Sequence, residues 1–246
     1  MKHKPFTNTH YFFATSPMPC PYLPGRVERR IVTELVGRQA SVFHDNLTIA
    51  GYRRSHSIAY APACPTCQAC IAVRIVVDQF KPSRSQRRIM NNNKNLHAAY
   101  RPPEATDEQF ALFSRYQKTR HSTGDMAKMN FSDYQALIEE TPVETELFEF
   151  TDERGLLTAA CLTDQVQNGL SAVYSFFEPE LQQRSLGSYM ILWLINEAKN
   201  RDLKHVYLGF WIAGCNKMSY KAKFQPLEAY IDGDWHPFDP VNESPE

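Results

Sequence analysis

The sequence predicts an α+β fold in two parts. Residues 1–103 form a mainly-β N-terminal domain with a cysteine loop, and residues 104–240 a domain of helices and antiparallel strands. Three observations lead there. YRPP at 100–103 is the strongest punctuation in the chain, because proline donates no backbone hydrogen bond and drives the residue before it out of the helical region. Upstream of it, β-branched and aromatic runs alternate with turns; downstream, capped amphipathic stretches bracket strand-like runs. Charge divides at the same place. Residues 1–103 carry 15 Lys/Arg against 4 Asp/Glu, and residues 104–246 carry 12 against 23, although the chain is neutral at pH 7. A basic half suits a polyanion; the competing reading is that the two halves neutralise each other on folding.

With 246 residues, 43% of them hydrophobic, the chain can bury a sizeable core. No run of 18 apolar residues occurs, so no membrane-spanning helix is expected. MKHKPFTNTHYFFATSPMPC lacks a continuous apolar segment and a small-residue cleavage site. The expectation is therefore a cytoplasmic protein with reduced thiols.

The elements follow in order. Residues 1–25, rich in Pro and aromatics, read as irregular but packed, and VERRIVTELV (27–36) fits strand or helix. ASVFHDNL and IAGYRRSHSIAYAPAC read as strands joined by a turn at Asp45–Asn46. CIAVRIVVDQF (70–80) reads as a strand, and KPSRSQRRIMNNNKNL as a polar break. Thr106 caps a helix over TDEQFALFSRYQKTRHS, and Ser132 caps a second that stops at Pro142. Three strands follow, with turns at Glu153–Gly155 and Gln167–Gly169. SLGSYMILWLINEAKNRDL has apolar positions at helical spacing. HVYLGFWI (205–212) is a strand, a short helix and a strand pair follow, and 241–246 is a loose tail.

Two features carry chemistry on their own. Lys81, Arg84, Arg87 and Arg88 form one basic cluster, and Arg26, Arg29 and Arg30 another, the residue types that phosphate contacts need. CPTCQAC places Cys64, Cys67 and Cys70 at two-residue spacing. A ferredoxin-type run would continue to a fourth cysteine where Arg74 stands, so only Cys20 could complete a four-ligand site. The expectation is a structural thiol cluster without metal or other cofactor; zinc or an iron–sulfur cluster is the alternative.

The order of elements after residue 104 resembles the GNAT acyltransferase fold. There an R-x-x-G-x-G/A loop holds the CoA pyrophosphate at a helix N-terminus. RSLGSY supplies Arg184 and Gly187 to that pattern, but Tyr189 replaces the last small residue and argues against CoA. PCPYLPGR, CPTCQACIAVRI, FKPSRSQRR, YSFFEP…RSLGSYMILWLI and YLGFWIAGCNKMSYKAKFQP together resemble the arginyl/leucyl-tRNA–protein transferase family over roughly residues 10–238. The likeness is greatest to its short bacterial branch, the aspartate/glutamate leucyltransferases. It implies transfer of leucine from leucyl-tRNA to the N-terminal amine of proteins beginning with Asp or Glu, which marks them for degradation. Arginine is the rival acyl group. The implied partners are leucyl-tRNA and such proteins, not DNA or a membrane.

That reaction is aminolysis of an ester. An α-amine has a pKa of about 7.7–8.0, so little base strength is needed. The enzyme must position the amine, hold an acidic side chain, stabilise an oxyanion and help a ribose hydroxyl leave. The catalytic candidates are Tyr174, Ser175 and Tyr220. Backbone N–H groups over Ser175–Glu178 would serve as oxyanion donors, and Tyr220 would relay a proton. An acidic side chain calls for an Arg fork, so Arg74, Arg84 and Arg88 are the acceptor-binding candidates. Lys81, Arg87, Arg184, Lys217 and Lys221 are the tRNA-binding candidates, and Phe210 and Trp211 the acyl-pocket candidates, with core packing as the competing role. His121 reads as a structural or capping residue. The remaining alternatives are a CoA-dependent acetyltransferase and an RNA-binding module with an inert core.

Overall fold

In the computed structural model, which describes residues 9–240, one large sheet draws strands from both the basic and the acidic half of the chain. The tail expected over 241–246 lies outside the described residues. The N-terminal part holds β1 (Phe13–Ala14), β2 (Met18–Pro19), β3 (Val27–Glu28), β4 (Arg30–Glu34), α1 (Ala40–Ile49), β5 (Arg53–Ser55) and β6 (Ile58–Pro62). Then come β7 (Cys70–Val76), α2 (Arg84–Asn92), β8 (His97–Arg101), α3 (Asp107–Arg120) and α4 (Phe131–Glu139). The rest is β9 (Thr145–Thr151), β10 (Leu157–Val166), β11 (Gly169–Phe177), α5 (Leu186–Asn200), β12 (His205–Ile212), β13 (Leu227–Ile231) and β14 (Asp234–Phe238).

The large sheet has eight strands in the order β14-β13-β7-β12-β11-β10-β9-β8, and β1-β4-β6-β5 make a separate four-stranded sheet. Every neighbouring pair in the large sheet is antiparallel except β11 with β12. A helix connects that parallel pair, and helices cover both sides of the sheet, the GNAT-like arrangement. Along β10, Ala159 and Cys161 join a cluster with Met190, Leu194 and Ala198 of α5, whereas Ala160 and Leu162 join Leu112 and Phe113 of α3 and Leu137 and Ile138 of α4. That alternation is the two-residue period of a strand buried on both faces.

Four local expectations change. ASVFHDNL is not a strand, and Asp45–Asn46 is not a turn, because both lie within α1. Its buried residues Ala40, His44, Leu47 and Thr48 fall at helical spacing. KPSRSQRRIMNNNKNL is not a break, because Ser83 and Gln86 form a capping box that starts α2. The second cap is Asn130, not Ser132; the Asn130 side-chain oxygen accepts from the Asp133 N–H at 3.0 Å. VERRIVTELV resolves as β3 and β4. Thr106, both turns of the three-stranded run and the long helix stand as expected.

Candidate active site

The site begins where β11 and β12 part. They pair only at Gly169–His205, Leu170–Val206 and Ser171–Tyr207, then diverge. Both strands are irregular just beyond. The β10–β11 register shifts between Leu162 and Thr163, leaving Val173 without an opposite residue. The β12–β7 register shifts between Tyr207 and Gly209, leaving Leu208 likewise. Bulges of this kind bend the bulged strand and increase its local twist. From the fork onward the β12-facing edge of β11 lacks a strand partner.

Arg53, from the N-terminal sheet, plugs the apex of this fork. Its Nη2 donates to the carbonyls of Ala172 and Val173, each at 3.1 Å. Gly209 has φ +73°, and a Cβ there would lie 1.9 Å from Arg53 Nη1. Only glycine allows both this backbone turn and this approach. Lys221 is 4% exposed and donates from Nζ to the Phe210 carbonyl. Burial, then Arg53, pushes its amine down to about 7. Tyr220 precedes Lys221 on the same loop and is 39% exposed; its phenol is pushed up, with desolvation outweighing Arg53, so it is protonated at neutral pH. On the α3 side, the Tyr116 ring lies 4.9 Å from Phe177 of β11 and its hydroxyl 3.4 Å from His121 Nε2.

The structure gathers some of the expected residues here and scatters others. Tyr174 and Ser175 lie on the diverging part of β11, and the Tyr174 hydroxyl accepts from Gln117 Nε2. Burial raises the Tyr174 pKa. Lys217 is exposed; burial, followed by the Lys217 charge, lowers the His121 pKa. Lys81, Arg84, Arg87 and Arg88 are exposed on and just before α2, which is tied to the fork by the Gln86 amide donating to the Lys223 carbonyl at 2.8 Å. Lys221 cannot sit on a tRNA phosphate as expected, because it is buried in the fork. Arg74 is already engaged: it pairs with Glu228 at 2.7 Å and lies 4.2 Å from the Trp235 ring centre. Arg184 is bound by the Asn93 and Asn95 side-chain oxygens at 3.0 and 2.6 Å. Phe210 and Trp211 separate. Phe210 lines a cavity with Tyr60, whereas Trp211 packs on Phe238 in the core. Tyr189 does not obstruct its loop by bulk, because its ring turns inward to an edge contact with Phe150.

The cavity beyond Phe210 is small and opens to solvent. Cys20, Cys64, Cys67 and Cys70 all line it. Burial and the other three cysteines push the Cys70 thiol up to about 12, which keeps it protonated. Among the described residues no three His, Cys, Asp or Glu side chains are arranged to hold a metal ion. The chemistry of the fork draws on the chain's own side chains and backbone.

Arg53 is the site residue that sequence reasoning missed. The only signal was the RR pair in GYRRSH: adjacent strand residues face opposite ways, so one arginine must leave the face the other occupies.

Residues 18–88 match the N-terminal part, and 108–231 the C-terminal part, of the family described as arginine-tRNA-protein transferase. The chain is 55% identical to a Paramagnetospirillum magneticum protein named aspartate/glutamate leucyltransferase, over 98% of each chain. It is 52% identical to a Rhodospirillum rubrum protein of the same name, over 97% of this chain and 98% of that one. It is also similar to the crystal structure of the C-terminal domain of a candidate lysylphosphatidylglycerol synthetase from Agrobacterium fabrum, with TM-score 0.50 and 10% identity, over 68% of this chain and 61% of that one. That last likeness concerns the fold alone. No helix among the described residues is long and apolar enough to cross a membrane.

Proposed function

The chain belongs to the arginine-tRNA-protein transferase family, and on that premise we propose that it transfers leucine from leucyl-tRNA to the N-terminal amine of proteins beginning with Asp or Glu. The observation that carries the reading is the 55% identity, over 98% of both chains, to a relative named for that activity. The product bears an N-terminal leucine that marks it for degradation, and the reaction belongs in the cytoplasm.

The fork supports this chemistry. An ester carbonyl placed beside β11 meets backbone N–H groups that have no partner on β12, the donors an oxyanion needs. The acceptor amine attacks and forms a tetrahedral intermediate, which expels the ribose 3′-terminal oxygen. Tyr220, protonated at neutral pH, is the proton source for that oxygen. Lys221, with its amine near 7 and its Nζ on the Phe210 carbonyl, holds the β12 side of the fork and can take up the proton the attacking amine sheds. Tyr174 and Ser175 shape the β11 wall. The exposed face of α2 carries the tRNA backbone through Lys81, Arg84, Arg87 and Arg88, and Lys217 adds a cation at the mouth. Phe210 and the apolar part of its cavity receive the leucyl side chain.

The test is direct. Purified protein is incubated with labelled leucyl-tRNA or arginyl-tRNA and peptides beginning with Asp, Glu or Ala. Label should move from leucyl-tRNA to the Asp and Glu peptides only. Transfer from arginyl-tRNA would change the acyl group and keep the mechanism; transfer from neither would overturn the reading.

A further inference from the structure

We propose that Arg53 is the specificity residue for the acceptor, receiving the side-chain carboxylate of its N-terminal Asp or Glu at the apex of the β11/β12 fork. This rests on the transferase reading above and names the group that reads the substrate.

The argument begins with reach. In an N-terminal Asp or Glu the carboxylate lies only a few bonds from the α-amine. A cation that reads it must therefore adjoin the carbon under attack. That carbon sits where β11 offers unpaired N–H groups, immediately past Ser171, and Arg53 touches the first two carbonyls beyond it. A guanidinium has five N–H donors. Arg53 Nη2 is spent on Ala172 and Val173, but Nε and Nη1 have no protein acceptor among the described residues.

Charge gives the second strand of the argument. Two other arginines brought toward the fork or its cavity are neutralised, and Arg26, which also lines the cavity, is exposed. Arg74 pairs with Glu228, and Arg30 pairs with Glu28 while lying 4.8 Å from the Tyr60 ring centre. Arg54, next to Arg53 in sequence, pairs with Asp164. Arg53 has no ion pair among the described residues; only neutral carbonyls hold it. A half-buried cation without a counter-ion is costly unless an anion arrives with the ligand. The donor's nearest anion is a phosphate on the far side of its terminal ribose from the ester, whereas the acceptor carries its carboxylate a few bonds from the attacking amine, so the acceptor is the partner whose charge fits. The approach is also fixed: the bare Cα of Gly209 is what leaves room for Nη1.

The experiment compares peptides beginning with Asp and with its neutral isostere Asn, using leucyl-tRNA and reading kcat/KM. Wild-type protein should favour Asp strongly. In Arg53→Gln the ratio of kcat/KM for Asp over Asn should fall about 100-fold, the size of losing a buried charge-assisted pair, while leucyl-tRNA binding stays within about threefold. Equal losses with both peptides, or an unchanged preference for Asp, would overturn the assignment. Wild-type protein that transfers leucine to neither peptide would instead sink the transferase reading itself. A second measurement needs no variant. Phenylglyoxal modifies arginines, and mass spectrometry locates the adducts. The Asp peptide should protect Arg53 and the Asn peptide should not; protection by both or by neither would overturn the proposal.

Discussion

Arg53 and Arg54 are neighbours on β5, yet they end in two regions built on opposite terms. Arg54 enters a closed network. It is 5% exposed, its Nε and Nη2 each meet a carboxylate oxygen of the fully buried Asp164 at 2.7 Å, and its Nη1 donates to the His56 carbonyl at 2.9 Å. Thr145 adds a hydrogen bond to the same carboxylate at 2.8 Å, and His44 stands 3.5 Å from it, its pKa lowered chiefly by burial. Every charge there is matched, and the network fastens α1 and β5 to β9 and β10. Arg53 enters a gap between strands, where its charge is met only by two neutral carbonyls. The difference teaches how to separate a structural cation from a working one. A saturated ion pair leaves no valence for a substrate, whereas an unsaturated one in an open fork does.

That contrast can be broken at several points. The largest effect is expected from Asp164→Asn, which leaves Arg54 as a buried uncompensated charge. It should cost about 3–5 kcal/mol in denaturant unfolding. Arg53→Gln should cost about 1 kcal/mol or less, since it removes hydrogen bonds at a partly open site. Equal losses would erase the distinction. Next in size is Gly209→Ala. Its φ of +73° and the 1.9 Å approach to Arg53 predict about 1–2 kcal/mol of destabilisation together with a displaced guanidinium. Preference for Asp over Asn peptides should therefore fall in this variant too, although no charge is removed; full retention would show that Gly209 does not position Arg53.

The smallest effect concerns pH. His205 faces Arg74, Glu228, Lys204 and Asp78, and burial followed by Arg74 pushes its pKa down to about 4. The unfolded chain binds that proton first, near 6.5. Stability is therefore full above about 6.5 and declines as pH falls toward 4. His205→Gln should flatten that part of the curve of unfolding midpoint against pH. It should leave the Asp-over-Asn preference untouched, because this region belongs with the saturated network around Arg74. A midpoint that falls with the same slope in both proteins would remove His205 from the account.

The local signals in the sequence were strong wherever one element carries its own pattern. The Thr106 cap, the turns at Glu153–Gly155 and Gln167–Gly169, and the apolar face of α5 depend on residues a few positions apart, so they were legible. The helix α1 was hidden because Val42, Phe43 and Thr48 favour strands, while its buried stripe of Ala40, His44, Leu47 and Thr48 mixes polar with apolar groups. The candidates Arg74, Arg184 and Lys221 have the right chemistry, but partners such as Glu228, Asn93 and the Phe210 carbonyl arrive from elsewhere in the fold to occupy them.

By itself the sequence determined the family, the order of helices and strands after residue 104, and the supply of cations and thiols. These follow from motifs and periodicities within short windows. Only the tertiary structure decided which of the two β5 arginines lacks an ion pair among the described residues. Arg53 meets Ala172 and Val173 across 119 and 120 residues, and Arg54 meets Asp164 across 110. Such pairings are set by strand register and by which face of β5 each side chain leaves, and no local pattern records them.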